Sequence, residues 1–137
     1  MRSQIMIALA TVTLALSAVP SFAHHSFAAG YDQNKMLTLT GRVVKFDWVN
    51  PHPWITIEVT GRDGTKALWE GQAKSVSVLS GGGWTRPMAE GMAKAGEVVT
   101  MRGYASKNGS LHLYALDLTR SDGKTVLILS GQPKILK

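Results

Sequence analysis

Apolar residues follow two regimes along this chain. From Ile5 to Val19 they run on, interrupted only by Thr and Ser; after residue 35 they alternate with polar residues. Arg2 stands ahead of the run, and Pro20 and Ser21-Phe22-Ala23 follow it. A positive start, an apolar centre and small residues at the exit are the three parts of a cleavable export signal. The run is shorter than the roughly 20 residues that cross a bilayer core, so an uncleaved anchor fits less well. No cysteine follows it, which excludes a lipoprotein anchor. The pattern therefore predicts cleavage near Ala23, delivery to the periplasm or the medium, and no membrane span after cleavage. It divides the chain into a signal peptide (1–23), an N-terminal arm without clear periodicity (24–35) and a single domain (36–137).

Within that domain the spacing predicts strands. Met36–Asp47 is rich in Leu, Val and Thr, with Gly41 where a bend or bulge would fit. Trp54–Val59 alternates as a half-buried strand does, and Lys66–Gly71 returns after the turn signal Arg62-Asp63-Gly64-Thr65. Ala73–Leu79 suggests a short helix ended by Gly81-Gly82-Gly83, and Met88–Lys94 a second helical stretch. Glu97–Ser106 and Leu111–Arg120 are strands about the turn Lys107–Ser110; the alternation of the second slips near Ala115-Leu116, as at a bulge. An Asp-Gly turn at Ser121–Lys124 leads into Thr125–Leu129. Five or six strands with a helix after the third describe an all-β domain, a small Greek-key barrel resembling the oligonucleotide/oligosaccharide-binding (OB) fold. A β-sandwich is the alternative.

Composition narrows the chemistry. There is no cysteine, so disulfides, thiol catalysis and thiolate metal sites are excluded, and a metal would have to use His, carboxylate, Met or a backbone amine. The net charge is +6, or +5 once the leader with its single charge, Arg2, is removed. These charges are scattered singly, which describes a solvated basic surface and not a nucleic-acid site. No nucleophile elbow, phosphate loop or His-Glu-x-x-His helix occurs. Glu70 and Asp117 stand out among the acids, each equally suited to a salt bridge at a barrel rim. A non-catalytic module is the expectation, and the enzyme question stays open.

The histidines carry the most specific chemistry. After cleavage, His24 and His25 are the first two residues. The new α-amine and the His24 ring can chelate one ion, with the second imidazole beside them. Nitrogen ligation of this kind favours copper, with zinc the alternative. Were Ala23 retained, His25 would become the third residue and the chelate would be redrawn. His52 lies in Trp48-Val49-Asn50-Pro51-His52-Pro53-Trp54, with a proline on either side stiffening its backbone. It reads as a third ligand or as part of a rigid connection on which the tryptophans pack. Trp54, Trp84 and Arg86 are candidates for holding a small ligand or another periplasmic protein; Trp84 and Arg86 read equally as a packed anchor and a surface cation. His112, beside Tyr114, reads as a surface or edge residue. The methionines are dispersed and suit core filling.

Taken together, His24-His25-Ser26-Phe27, Leu39-Thr40-Gly41-Arg42-Val43, Trp48 to Trp54, and Gly83-Trp84-Thr85-Arg86 resemble a family of small exported bacterial proteins, domain of unknown function 6152. The resemblance spans His24 to about Leu129 and implies a periplasmic or secreted barrel-like domain. Matching positions are His24, His25, Asn50, Pro51, His52, Trp54, Gly83, Trp84, Thr85 and Arg86. Between Gly71 and Gly82 the family tends toward an acidic residue and Ser-Pro, where this chain has Gly-Gln-Ala-Lys-Ser-Val-Ser. Two readings follow: a copper-binding module built on His24, His25 and His52, or a metal-free module that uses its barrel face.

Overall fold

The Leu/Val/Thr-rich segment forms β1, Tyr31–Asp47, which begins at Tyr31 instead of Met36. Its early start has a non-local cause. Tyr31 pairs with Ser106, and the Lys107 amide donates to the Gly30 carbonyl at 3.0 Å. The structure, a computed structural model, describes residues 27–123 and the backbone of 125–128. The expected signal peptide, His24 and His25 lie outside the described residues. No helix among the described residues is long and apolar enough to cross a membrane.

After β1 come β2 (Trp54–Thr60), β3 (Lys66–Gln72), α1 (Val76–Gly81), α2 (Arg86–Ala95), β4 (Val98–Ser106), β5 (His112–Arg120) and β6 (Thr125–Ile128). The strands share one sheet in the order β3-β2-β1-β4-β5-β6, and a parallel pairing of β3 with β5 closes the first five into a ring. The all-β reading therefore holds, with the helices placed between the third and fourth strands as the OB-like order requires. A single continuous sheet leaves no second layer for the sandwich alternative.

Turn chemistry follows the residues. The Asp63 carboxylate accepts from the Thr65 amide at 3.0 Å and its hydroxyl at 2.6 Å, and Asn108 accepts from the Ser110 amide at 2.9 Å. In the helices, Ser75 caps α1, and Thr85 caps α2 by accepting from the Met88 amide, with Pro87 in the first turn.

Two bulges decide which residues point inward. In β1 the register shifts between Val43 and Lys45, so Val43 and Phe46 both face the interior and Lys45 stays outside, 2.8 Å from Asp47. That bulge lies beyond Gly41. Gly41 is needed for another reason: a Cβ there would stand 2.5 Å from the Glu58 carbonyl oxygen. In β5 the extra residue is Leu116, since Gly103 pairs with Ala115 and Arg102 with Asp117. The bulge keeps Asp117 outside with Arg102 and turns Leu118 into the core.

The interior holds Val43, Phe46, Ile55, Ile57, Val99, Met101, Leu113 and Leu118, closed by Leu79, Trp84, Ala89 and Met92 from the helical segment. Fully burying side chains of this size contributes about 1.5–3 kcal/mol each before entropy is counted.

Candidate functional site

His52 is held by the end of β3. The Asn50–Pro51 bond is cis, and Pro53 is fully buried. The Ala73 amide donates to the Pro53 carbonyl at 2.9 Å, and His52 Nδ1 lies 3.1 Å from the Ala73 carbonyl oxygen. A carbonyl can only accept, so Nδ1 carries the proton. In the neutral ring the lone pair is then on Nε2, for which no hydrogen-bond partner exists among the described residues. Metal-binding histidines are commonly held this way, with one nitrogen fixed on a backbone carbonyl and the other presented to the ion.

A second constellation lies on the outer face where β3 meets β5. Glu70, Gln72, His112 and Tyr114 occupy facing outward positions across this seam, and Trp54 pairs with Gln72 from β2. His112 Nε2 is 2.7 Å from Glu70 Oε2, with both side chains about half exposed. The Trp54 ring meets the His112 ring at 5.7 Å in an edge arrangement.

Beside them Phe27 caps three tyrosines. Its ring lies 4.8 Å from that of Tyr114, 5.8 Å from Tyr104 and 5.9 Å from Tyr31. The Tyr31 hydroxyl donates to Gln72 Oε1 at 2.7 Å. Residues 27–30 are helical, and Lys107 holds them twice, through its amide to Gly30 and its Nζ to the Ala28 carbonyl at 2.5 Å. The arm is thus tied to the seam by stacking and hydrogen bonds together.

This covering affects the phenols. Burial, and then the charge of Tyr114, raises Tyr31 above the ordinary 10.0; burial alone raises Tyr114. The folded state therefore holds these protons more tightly than the unfolded chain. The stabilisation is complete below about pH 10 and is lost as pH rises through the folded-state values. Phe27→Ala should move tyrosinate absorbance to lower pH. An unchanged alkaline titration would mean that Phe27 does not shield the tyrosines.

Trp84 and Trp54 stand on opposite sides of the sheet. Trp84 is buried, its ring stacked on Phe46 at 6.4 Å, and Trp48 packs on the same Phe46 at 6.2 Å. Arg86 Nη2 donates to the Trp48 carbonyl at 2.9 Å, and its Nη1 lies 3.8 Å from Glu90. The two acids singled out in the sequence are both paired, Glu70 with His112 and Asp117 with Arg102. Among the described residues no three His, Asp or Glu side chains gather as a metal-ligand set. Phe27 and the pairing of His112 escaped the sequence reading; the recurrence of aromatics at Phe27, Tyr31, Tyr104 and Tyr114 was their one local trace.

No curated protein and no solved structure matches the chain. A family model described as "Family of unknown function (DUF6152)" matches residues 11–114, and the chain belongs to that family.

Proposed function

We propose that this chain is an exported, non-catalytic metal-binding module that takes copper, with zinc as the alternative. His24 supplies its α-amine and ring, His25 a second imidazole, and His52 an Nε2 lone pair. The observation that carries this reading is the hydrogen bond from His52 Nδ1 to the Ala73 carbonyl, which orients the ring and leaves the other nitrogen for an ion. The anchorage of Phe27 adds support, because it leaves only Ser26 between His25 and a held point of the domain.

The test is a titration of the cleaved protein, its N-terminus confirmed by intact mass, with copper(II) and zinc(II). His52→Ala is expected to weaken copper by about tenfold or more, and His24→Ala/His25→Ala to remove the tight site. Equal, weak binding across the three proteins would end the reading.

A metal-free module that holds a small ligand or a periplasmic partner is the second reading. Half-buried Trp54 on the outer face favours it. Binding of such a ligand would persist in excess chelator and change Trp54 fluorescence.

A further inference from the structure

The outer face where β3 meets β5 carries polar atoms that the fold leaves uncommitted. In register across the strands, Trp54 of β2 faces Gln72 of β3, which faces Tyr114 of β5; the next row is Thr56, Glu70 and His112. The half-buried Trp54 ring is held at the surface by its edge contact with His112, 5.7 Å between centroids. Beyond Gln72 the face ends at Tyr114, which Phe27 covers. From Trp54 to Tyr114 is two strand spacings, about 10 Å.

Hydrogen-bonding groups of both kinds surround the indole. Gln72 uses its oxygen to accept from the Tyr31 hydroxyl at 2.7 Å, so its two amide protons remain. Glu70 Oε2 takes the His112 Nε2 proton at 2.7 Å, which leaves the neutral imidazole a lone pair on Nδ1 and the carboxylate a second oxygen. Gln72 Nε2, His112 Nδ1 and Trp54 Nε1 have no hydrogen-bond partner among the described residues.

A sugar hydroxyl both donates and accepts, and a sugar ring presents a C–H face that packs on an aromatic ring. An aromatic plate bordered by donors and acceptors therefore suits a polyol better than a purely apolar ligand. Charge argues against a phosphate chain. Glu70 is an acid within the face, and Lys45, in line with it across Thr56, is 2.8 Å from Asp47. An oligonucleotide needs free cations along its backbone.

We propose that this face binds an uncharged oligosaccharide. One sugar ring packs on Trp54, and hydroxyls bond to the Gln72 amide, His112 Nδ1 and the Glu70 carboxylate. The proposal rests on the metal-free reading above, whose ligand it identifies by class.

Chitohexaose and cellohexaose, added to the protein in excess chelator and followed by NMR of its N–H groups, test it. At least one of the two should give saturable shifts of the Trp54 indole and the Gln72 side-chain amide at millimolar concentration. Trp54→Ala should weaken that binding at least about tenfold, as loss of a central aromatic anchor does. Gln72→Ala and His112→Ala should each weaken it roughly two- to tenfold. His112 is about half exposed, so its variant keeps the test open if Trp54→Ala fails to fold. Unchanged affinity in folded Trp54→Ala or in His112→Ala overturns the proposal, as does tighter binding of hexathymidylate than of either sugar. If neither sugar moves these resonances but compounds of a small-molecule fragment library do, the sugar class falls and the metal-free reading stands. If nothing moves them, both fall.

Discussion

Gly103→Val should lower the melting temperature of the domain by more than about ten degrees. Gly103 faces the interior of β4 opposite Ala115, at the point where the Leu116 bulge begins. A Cβ there would collide with the Tyr114 carbonyl oxygen and stand 2.5 Å from Leu113 Cδ1. The carbonyl belongs to the neighbouring strand, so it cannot withdraw without opening the β4–β5 pairing. Overpacking against backbone falls at the upper end of the usual range, about 3 kcal/mol, against roughly 5–15 kcal/mol for a whole domain. In a domain of this size that corresponds to a fall of roughly 12–24 °C in Tm. Circular dichroism melts check it, with Gly71→Ala as the comparison. At Gly71 the nearest atom is Met101 Sδ, also at 2.5 Å, but it belongs to a flexible side chain and not to backbone. If Gly71→Ala proves the more damaging, the backbone-collision argument is wrong. Partial unfolding at Gly103 would also displace Tyr114, and with it the seat of Phe27.

Blocking the mature N-terminus should have the largest effect on metal binding. In the proposed site the α-amine and the His24 ring act as one chelate. Losing one arm of a short linked pair costs on the order of a hundredfold or more in affinity. A protein that keeps Ser21-Phe22-Ala23 ahead of His24 should therefore bind copper far more weakly than the cleaved form. The pH profile gives an independent readout. An α-amine holds its proton up to about pH 8, and that proton must leave before the nitrogen binds. Affinity of the cleaved protein should rise with pH toward about 8 and then level, and that rise should be much smaller for the extended protein. Equal affinities at neutral pH would remove the amine from the site. A protein that retains Ala23 alone tests the redrawn chelate, with His25 as its third residue.

The bland and the specific readings of the sequence met different outcomes in the fold. Alternation in Trp54–Val59 was enough to assign a strand, although Thr56, a polar position of that alternation, is buried. The slip at Ala115-Leu116 marked the bulge, because Asp117 and Leu118 exchange faces there. Gly41 misled about the bulge in β1. Its lack of a side chain serves a close approach to Glu58, and the extra residue is Val44, which the sequence does not distinguish from Val43.

The site divides in the same way. Paired prolines around His52 announced a stiff connection, but its tautomer depends on Ala73, 21 residues away. His112 looked like an isolated surface residue because Glu70 reaches it only through the parallel β3–β5 pairing. Trp84, placed after three glycines, is a core residue on Phe46.

By itself the sequence determined the strand-rich class, the turns and the helical interruption, since each follows from spacing within a few residues. The tertiary structure alone decided the closure of the ring, the start of β1 at Tyr31, the anchoring of Phe27 on three tyrosines and the partners of His52 and His112. Those depend on contacts between residues tens of positions apart, where periodicity carries no information and packing and hydrogen bonding set the register.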